Sequence, residues 1–508
     1  MNLRCLLKRD SQRKLLLIES FYQSKNPKST AELLKMLDCT APVLASDIRL
    51  INTHESHYHI HRDGGYCSLE ISDNASLDEL YASLIRNSFA FKVLEMVFQE
   101  DCMSLDEMAK RLYCSLSAAQ THFKDLESVL KHWKMTIHRR PFRITGDEAT
   151  VRHLYFLLIS EKKMTYEESG LSPELFKAGD ALIHSLLKNN GFSCSFAQYC
   201  RIHTLFYTSL IRVKHRHRFS QRFLNSTAID PPDEELCLIF SALLYQELGV
   251  VYTEDVMKES FWLLYSDMLL LSREQTQRAL TTNFSLAYHY ESHMELVDEL
   301  SLMLVKPLTD EKKHMLTSIL INQHLFHVGT KEFVSMLQDR KRDCLALLEY
   351  FHANYVLRIR QVVEKFMDEY QCFQGDEFID NYVYQIIAAI PAFLNGMKKV
   401  TKPVNILIIA SDSTTQESLL VELIRFSIRG NYKIHRIDFK KLQKKNYQDF
   451  FPDYDLVIST STFDLPDLKT PFIGVELCPS IHSLNKIQSM VDQIEREKNF
   501  FPLKKELY

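Results

Sequence analysis

The sequence predicts a mainly α-helical, multidomain fold: two N-terminal winged helix-turn-helix domains, two helical-bundle domains and a small C-terminal α/β domain. Three observations predict it. Residues 29–51, STAELLKMLDCTAPVLASDIRLI, recur in pattern and without a gap 75 positions later as SLDEMAKRLYCSLSAAQTHFKDL, residues 104–126. From Ala149 to Lys399 apolar residues recur almost throughout at helical spacing. Beyond residue 403 short apolar runs alternate with helical segments, the pattern of a parallel α/β unit. Only 12 glycines in 508 residues fit a helical chain with short connections and argue against a glycine-rich phosphate-binding enzyme.

In each copy of the repeat a serine (Ser29, Ser104) stands three residues before a glutamate (Glu32, Glu107), the capping box that starts a helix. Each short helix is expected to end at a cysteine, Cys39 or Cys114. Thr40 and Ser115 then open second helices whose inward residues are Leu44, Ile48 and Ile51 in one copy and Ala119, Phe123 and Leu126 in the other. Two short helices joined by a tight turn form a helix-turn-helix, and its second helix fits a major groove. A turn of about 100° per residue places Pro42, Ser46, Arg49 and Thr53 on the opposite face of the first such helix. The second offers Ser117, Gln120, Thr121, Lys124 and Ser128, with Lys124 equivalent to Arg49 by the repeat. Either cation suits a phosphate or a guanine edge.

Hairpin-like stretches follow both second helices. YHIHRDGGYCSLEI, residues 58–71, carries Asp63-Gly64-Gly65 for a turn with positive φ. MTIHRRPFRIT, residues 135–145, puts Arg139-Arg140-Pro141 at its tip, where arginines suit phosphate or minor-groove contact. Residues 1–150 carry 20 Lys+Arg and 20 Asp+Glu, so no global basic field marks this region. The positive charge is local: Lys124, Lys131, Lys134, Arg139, Arg140 and Arg143 face only Asp125 and Glu127 between Gln120 and Thr145. Modest affinity per monomer and strong salt dependence are the expectation.

Eleven cysteines without a CxxC pair read as a reduced set, and no stretch approaches twenty uninterrupted apolar residues. A soluble, cytoplasmic protein with no membrane partner is expected. His54, His57, His59 and His61 alternate along the first hairpin, but no further ligand stands at a suitable spacing beyond Glu55, so no metal site is expected. In the helical middle, Thr208-Ser209-Leu210 with His215 matches Thr317-Ser318-Ile319 with His324 at an offset of 109, which implies two tandem helical domains dividing near Thr281. The chemically suggestive residues here are His203, His215, His217, His314, His324 and His327. The C-terminal unit reads VNILIIA (404–410), a capped helix, YKIHRID, DLVIST (455–460), FIGVEL (472–477) and a final helix, with helices on both sheet faces. The loop after its first strand, Ser411-Asp412-Ser413-Thr414-Thr415, holds no glycine.

This order of parts resembles the Mga family of Gram-positive bacterial transcriptional regulators over essentially the whole chain. The resemblance implies five domains: winged helix-turn-helix units at 1–72 and 73–160, helical regulatory domains of the PRD type at 161–281 and 282–399, and an EIIB-like α/β dimerisation domain at 400–508. It further implies a DNA-binding activator of virulence-associated operons, a homodimer or higher homo-oligomer, controlled by histidine phosphorylation from phosphocarrier proteins of the sugar phosphotransferase system (PTS). No cofactor and no enzymatic activity are implied. Leu205 stands seven positions before Arg212, where the family's PRDs carry a phospho-histidine, while His314 occupies the equivalent point of the second domain. The phosphorylation candidates are therefore His203, His215, His314 and His324. An active IIB enzyme carries a cysteine just after the first strand, whereas this chain has Ala410-Ser411, and Cys478 follows a late strand. The alternatives are an RNA-binding antiterminator, which would need an N-terminal β-rich module, and a PTS phosphotransferase component, which would need that cysteine.

Overall fold

The computed structural model describes residues 3–22, 27–55, 57–73, 75–164, 168, 170–192, 194–219, 224, 229–266, 269–324, 336–337, 340–370, 375–394, 403–410, 413–436, 451–460 and 470–499. The chain forms two compact units. One comprises Met1–Val297, Asp310–Arg340 and Met367–Gln385; the other comprises Asp298–Thr309, Lys341–Phe366 and Ile386–Tyr508.

The first unit opens with a 3-10 turn, Leu3–Leu6, followed by α1 (Arg9–Tyr22), β1 (Lys28–Ser29), α2 (Thr30–Met36), α3 (Ala41–His54), β2 (Tyr58–Asp63) and β3 (Tyr66–Ile71). The Ser29 side chain accepts the Glu32 N–H and starts α2. That helix stops at Met36, three residues before the expected Cys39, because Asp38 turns left-handed at φ 46° and the Cys39 N–H closes onto the Leu34 carbonyl at 3.2 Å. Thr40 precedes α3 in extended backbone but makes no side-chain cap bond; Pro42 sits in the first turn, where a missing N–H costs nothing. β2 and β3 pair antiparallel from Tyr58↔Ile71 to Asp63↔Tyr66, and Gly64 and Gly65, at φ 54° and 84°, make the connecting turn. β1 lies on the other edge of β3.

The second module repeats the plan: α4 (Leu77–Asn87), α5 (Phe89–Gln99), α6 (Leu105–Arg111), α7 (Leu116–His132), β4 (Thr136–His138), β5 (Arg143–Thr145), then α8 (Glu148–Lys162). Ser104 caps α6 by accepting the Glu107 N–H. Glu107 does not reach back to the Ser104 N–H, as a reciprocal box requires; it accepts from Met103, one residue earlier, at 3.0 Å. α6 ends at Arg111 rather than Cys114, with Tyr113 left-handed at φ 53° as the repeat-equivalent of Asp38. Leu44, Ile48 and Ile51 of α3, and Ala119, Phe123 and Leu126 of α7, are all buried. Phe123 meets Phe142 of the second hairpin at 5.0 Å between ring centroids, which ties helix to wing.

Helices α9 (Pro173–Asn189), α10 (Phe196–Lys214), α11 (Glu234–Leu248), α12 (Glu254–Ser260), α13 (Trp262–Tyr265), α14 (Arg273–Thr282), α15 (Phe284–Leu302), α16 (Asp310–Asn322), α17 (Arg340–Tyr370) and α18 (Asp376–Ala389) follow. The core of the winged modules runs on without a break into this helical part, through Leu154, Leu182, Leu186, Phe206, Phe240 and Trp262. The two matching Thr-Ser stretches fall on α10 and α16, with Thr208, Ser209 and Thr317 buried.

The second unit contains β6 (Val404–Ile409), α19 (Thr414–Ser427), β7 (Tyr432–Arg436), β8 (Leu456–Ser459), β9 (Phe472–Gly474) and α20 (Ile481–Asn499). All pairs are parallel, in the order β7-β6-β8-β9. Alternate residues Val404, Ile406 and Ile408 pack against Leu420, Val421 and Ile424 of α19 and Ile487, Val491 and Ile494 of α20, so both described helices cover one sheet face. Leu407, Ile409 and Val457 meet Phe451 on the other. Residues 437–450 and 461–469, on which a second helical layer would depend, lie outside the described residues. Among the described residues no helix is long and apolar enough to cross a membrane.

Candidate nucleic-acid interface

On α7 the five residues opposite the buried stripe, Ser117, Gln120, Thr121, Lys124 and Ser128, are all exposed. On α3 Pro42, Arg49 and Thr53 are exposed and Ser46 is half-buried. Thr53 and Thr121 donate their hydroxyls to the carbonyls of Arg49 and Ser117, at 2.7 and 3.0 Å, leaving oxygen lone pairs as acceptors outward. Arg49 and Lys124 form no ion pair among the described residues. The cations of the preceding helix are committed: Arg111 to Asp101 and Glu107 at 2.8 and 2.6 Å, Lys110 to Asp106 at 2.7 Å. The free positive charge of the second module is thereby concentrated on α7 and the hairpin after it.

Arg139 and Arg140 are exposed at the β4–β5 tip, with Arg140 left-handed at φ 71°. The Arg139 guanidinium lies 5.0 Å from the Phe123 ring centroid, so the same aromatic that anchors α7 in the core orients a tip cation. In the first hairpin His61 Nε2 stands 2.6 Å from Glu70 Oε2 across the strand pair, and the His59 and His61 rings lie 4.6 Å apart on the exposed face. The His54 side chain lies outside the described residues, among which no group of three or more potential metal ligands gathers.

Periodicity did not reveal Asp47. It is buried on α3 and takes a bidentate ion pair from Arg13 of α1, with Nη2 3.0 Å from Oδ1, which ties α3 to α1. An aspartate between two inward positions gave no signal in the sequence that it pointed inward.

The four phosphorylation candidates differ in setting. His203 is half-buried on α10 among Phe176, Tyr199 and Tyr207, with Nε2 3.0 Å from Asp180 Oδ1; burial pushes its pKa down against the pull of that carboxylate. His215 caps α10 with Nδ1 3.9 Å from Glu100 Oε2, and His217 lies closer still to that carboxylate. His314 is half-buried with Nδ1 2.6 Å from the Tyr290 hydroxyl. His324 is 5% exposed and its Nε2 is 2.6 Å from the Tyr382 hydroxyl. That hydroxyl is shared with His293 of α15 at 2.8 Å, a wholly buried histidine whose pKa burial lowers to about 4. His327, Ser411 and Asp412 lie outside the described residues. Ser413 caps α19 by accepting the Gln416 N–H, and Cys478 is exposed beyond β9.

Two helix-turn-helix modules, each with an antiparallel wing and an exposed polar face on its second helix, place the chain in the class of winged helix-turn-helix proteins. Residues 73–159 match the Mga helix-turn-helix domain family. The chain is 18% identical to a putative trans-acting regulator of Streptococcus pneumoniae serotype 4, over 92% of this chain and 94% of that protein. It is 19% identical to the capsule synthesis positive regulator AcpB of Bacillus anthracis, over 96% and 99% of the two chains. A third relative, the capsule synthesis positive regulator AcpA of Bacillus anthracis, is 25% identical over 31% of this chain and 32% of its own. Residues 73–159 are thus similar to a Mga helix-turn-helix domain, and the chain is similar along its length to proteins named as regulators.

Proposed function

We infer that the chain is a DNA-binding transcriptional regulator that activates its target genes. The observation that carries this reading is the exposed face of α7, Ser117 to Ser128, with an uncommitted lysine beside an arginine-tipped wing. The second module supplies most of the attraction and α3, through Arg49, a second contact. Base edges are read by Gln120, Lys124 and Arg49; the tip arginines hold the backbone. Activation is the role that the printed names of the two Bacillus anthracis relatives carry.

The five-domain division of the sequence belongs to the same reading, with regulatory domains at 161–281 and 282–399 and an α/β dimerisation domain from residue 400. Phosphocarrier proteins act on histidines of the regulatory domains, and His203 is the best placed of the four candidates, since it is partly open and its Asp180 partner can orient the ring. His324 would need its surroundings to open first. Footprinting genomic fragments at graded ionic strength tests the central reading: protected sites lost steeply with added salt support it, and the absence of any protected duplex overturns it.

A further inference from the structure

The densest buried charge cluster described lies away from the exposed faces of α3 and α7, at the junction of the second wing with the helical region. Arg212, near the end of α10, is fully buried. Its Nη2 donates to Glu148 Oε2 at 2.7 Å and to the Ile144 carbonyl at 3.1 Å, its Nε to Glu148 Oε1 at 3.0 Å and its Nη1 to Glu100 Oε1 at 3.2 Å. Glu148 begins α8, Ile144 is the middle residue of β5, and Glu100 ends α5 in left-handed backbone at φ 51°. Arg152, equally buried, carries the cluster onward, with Nε 2.9 Å from Glu148 Oε1 and Nη2 2.6 Å from Glu259 Oε2. His217 Nε2 stands 2.5 Å from Glu100 Oε1. Two guanidinium groups face three carboxylates, and the His217 ring stands at the outer edge of the cluster against Glu100.

Such a cluster is a poor source of net stability, because the cost of desolvating five ions offsets their attraction and a packed apolar group would serve as well. What it supplies is direction. A guanidinium is a rigid planar fork, and this one fixes β5, through Ile144, to the end of α10. Beside Ile144 stands Arg143, paired in register with His138, and the strand pair ends in Arg139 and Arg140. We propose that Arg212 is a positioning residue for the second wing: it couples the α10 terminus, with His215 and His217, to the aim of the tip arginines. This rests on the wing's contacting DNA, as inferred above.

The test uses the full chain with Arg212→Gln, Arg212→Lys and His217→Gln, alone and combined with Arg140→Ala, beside Arg140→Ala and Lys124→Ala by themselves. Amide hydrogen exchange of residues 136–145 and binding to a fluorescein-labelled mixed-sequence duplex are both read. Arg212→Gln should raise exchange in 136–145 about tenfold, the loss of one buried charged hydrogen bond, with partial rescue in Arg212→Lys. Duplex binding should weaken about fivefold or more, and that loss should vanish when Arg140 is already alanine. Should Arg212→Gln fail to fold, His217→Gln, which removes only the outer partner of Glu100, carries the test with a rise of about threefold. Unchanged exchange in both Arg212→Lys and His217→Gln, or duplex losses that simply add to that of Arg140→Ala, would overturn the proposal. Raised exchange together with duplex binding that neither Arg140→Ala nor Lys124→Ala alters would keep the coupling and sink the DNA reading instead.

Discussion

Lys124 and Arg140 are exposed cations on neighbouring parts of one module, and each should make one contact to a duplex. Replacing either by alanine is expected to weaken binding by about 1–3 kcal/mol, measured by anisotropy at fixed salt; a phosphate contact weakens all sequences alike, a base contact only the preferred one. Unchanged affinity in both would remove the assignment. His293 makes a different prediction. Its folded pKa, about 4, lies below the ordinary value of 6.5, so the unfolded chain binds the proton more readily. Its contribution is whole above pH 6.5 and is lost as pH falls towards 4, by about 3 kcal/mol across that window. Thermal midpoints at pH 7 and pH 4.5 should therefore diverge less in His293→Asn than in the parent, and equal divergence would show that another group governs the acid limb. The sequence did not single out His293, because a histidine on an amphipathic helix looks the same whether it faces water or a buried tyrosine.

Among the elements, both second helices, the exposure of their outward faces apart from the half-buried Ser46, and the turn of the first hairpin were legible, since each follows from a period or a turn code read locally. The helix ends were not. Asp38 and Tyr113 make left-handed turns without the glycine or asparagine that announces one, and Tyr113 does so while 96% exposed. Tyr113→Gly is accordingly expected to stabilise the chain by about 0.5–1 kcal/mol in denaturant melts, since it removes left-handed strain and loses no packing; a fall in stability would mean that the ring has a partner. Gly179 of α9 predicts the opposite sign. A Cβ there would meet the Tyr207 ring, with 3.1 Å to Cζ, and displace the hydroxyl that donates to the Phe176 carbonyl at 3.0 Å. Gly179→Ala should cost about 1–3 kcal/mol despite alanine's better helix propensity. The Arg212 cluster was beyond sequence reading for a related reason: its partners lie 64 and 112 positions away, and a buried arginine is written like a surface one.

At the scale of the molecule, charge sets how a chain that binds DNA as proposed would do so. With a net charge of −4 and no overall basic field, attraction depends on a few local cations, so affinity should fall linearly in log–log terms with salt, each phosphate contact adding about 0.9 to the slope. Binding that hardly changes between low and physiological salt would contradict the interface proposed here. Few contacts per chain also make self-association valuable, because two linked modules bind far more tightly than one. Removing the chain beyond Lys402 should then shift sedimentation towards monomer and weaken duplex binding together; a dimer surviving that cut would place the self-contact elsewhere.

The amino-terminal 3-10 turn is secured from far along the chain: the Leu3 N–H donates to the Met336 carbonyl at 2.8 Å, and Leu3 and Leu6 share a core with Met336 and Leu337. During synthesis this turn can complete its packing only after a segment more than three hundred positions later has been made. Fragments that stop short of Met336 lose that partner, so more of Leu3 and Leu6 should lie open to water in them, a foothold for chaperones and for aggregation alike.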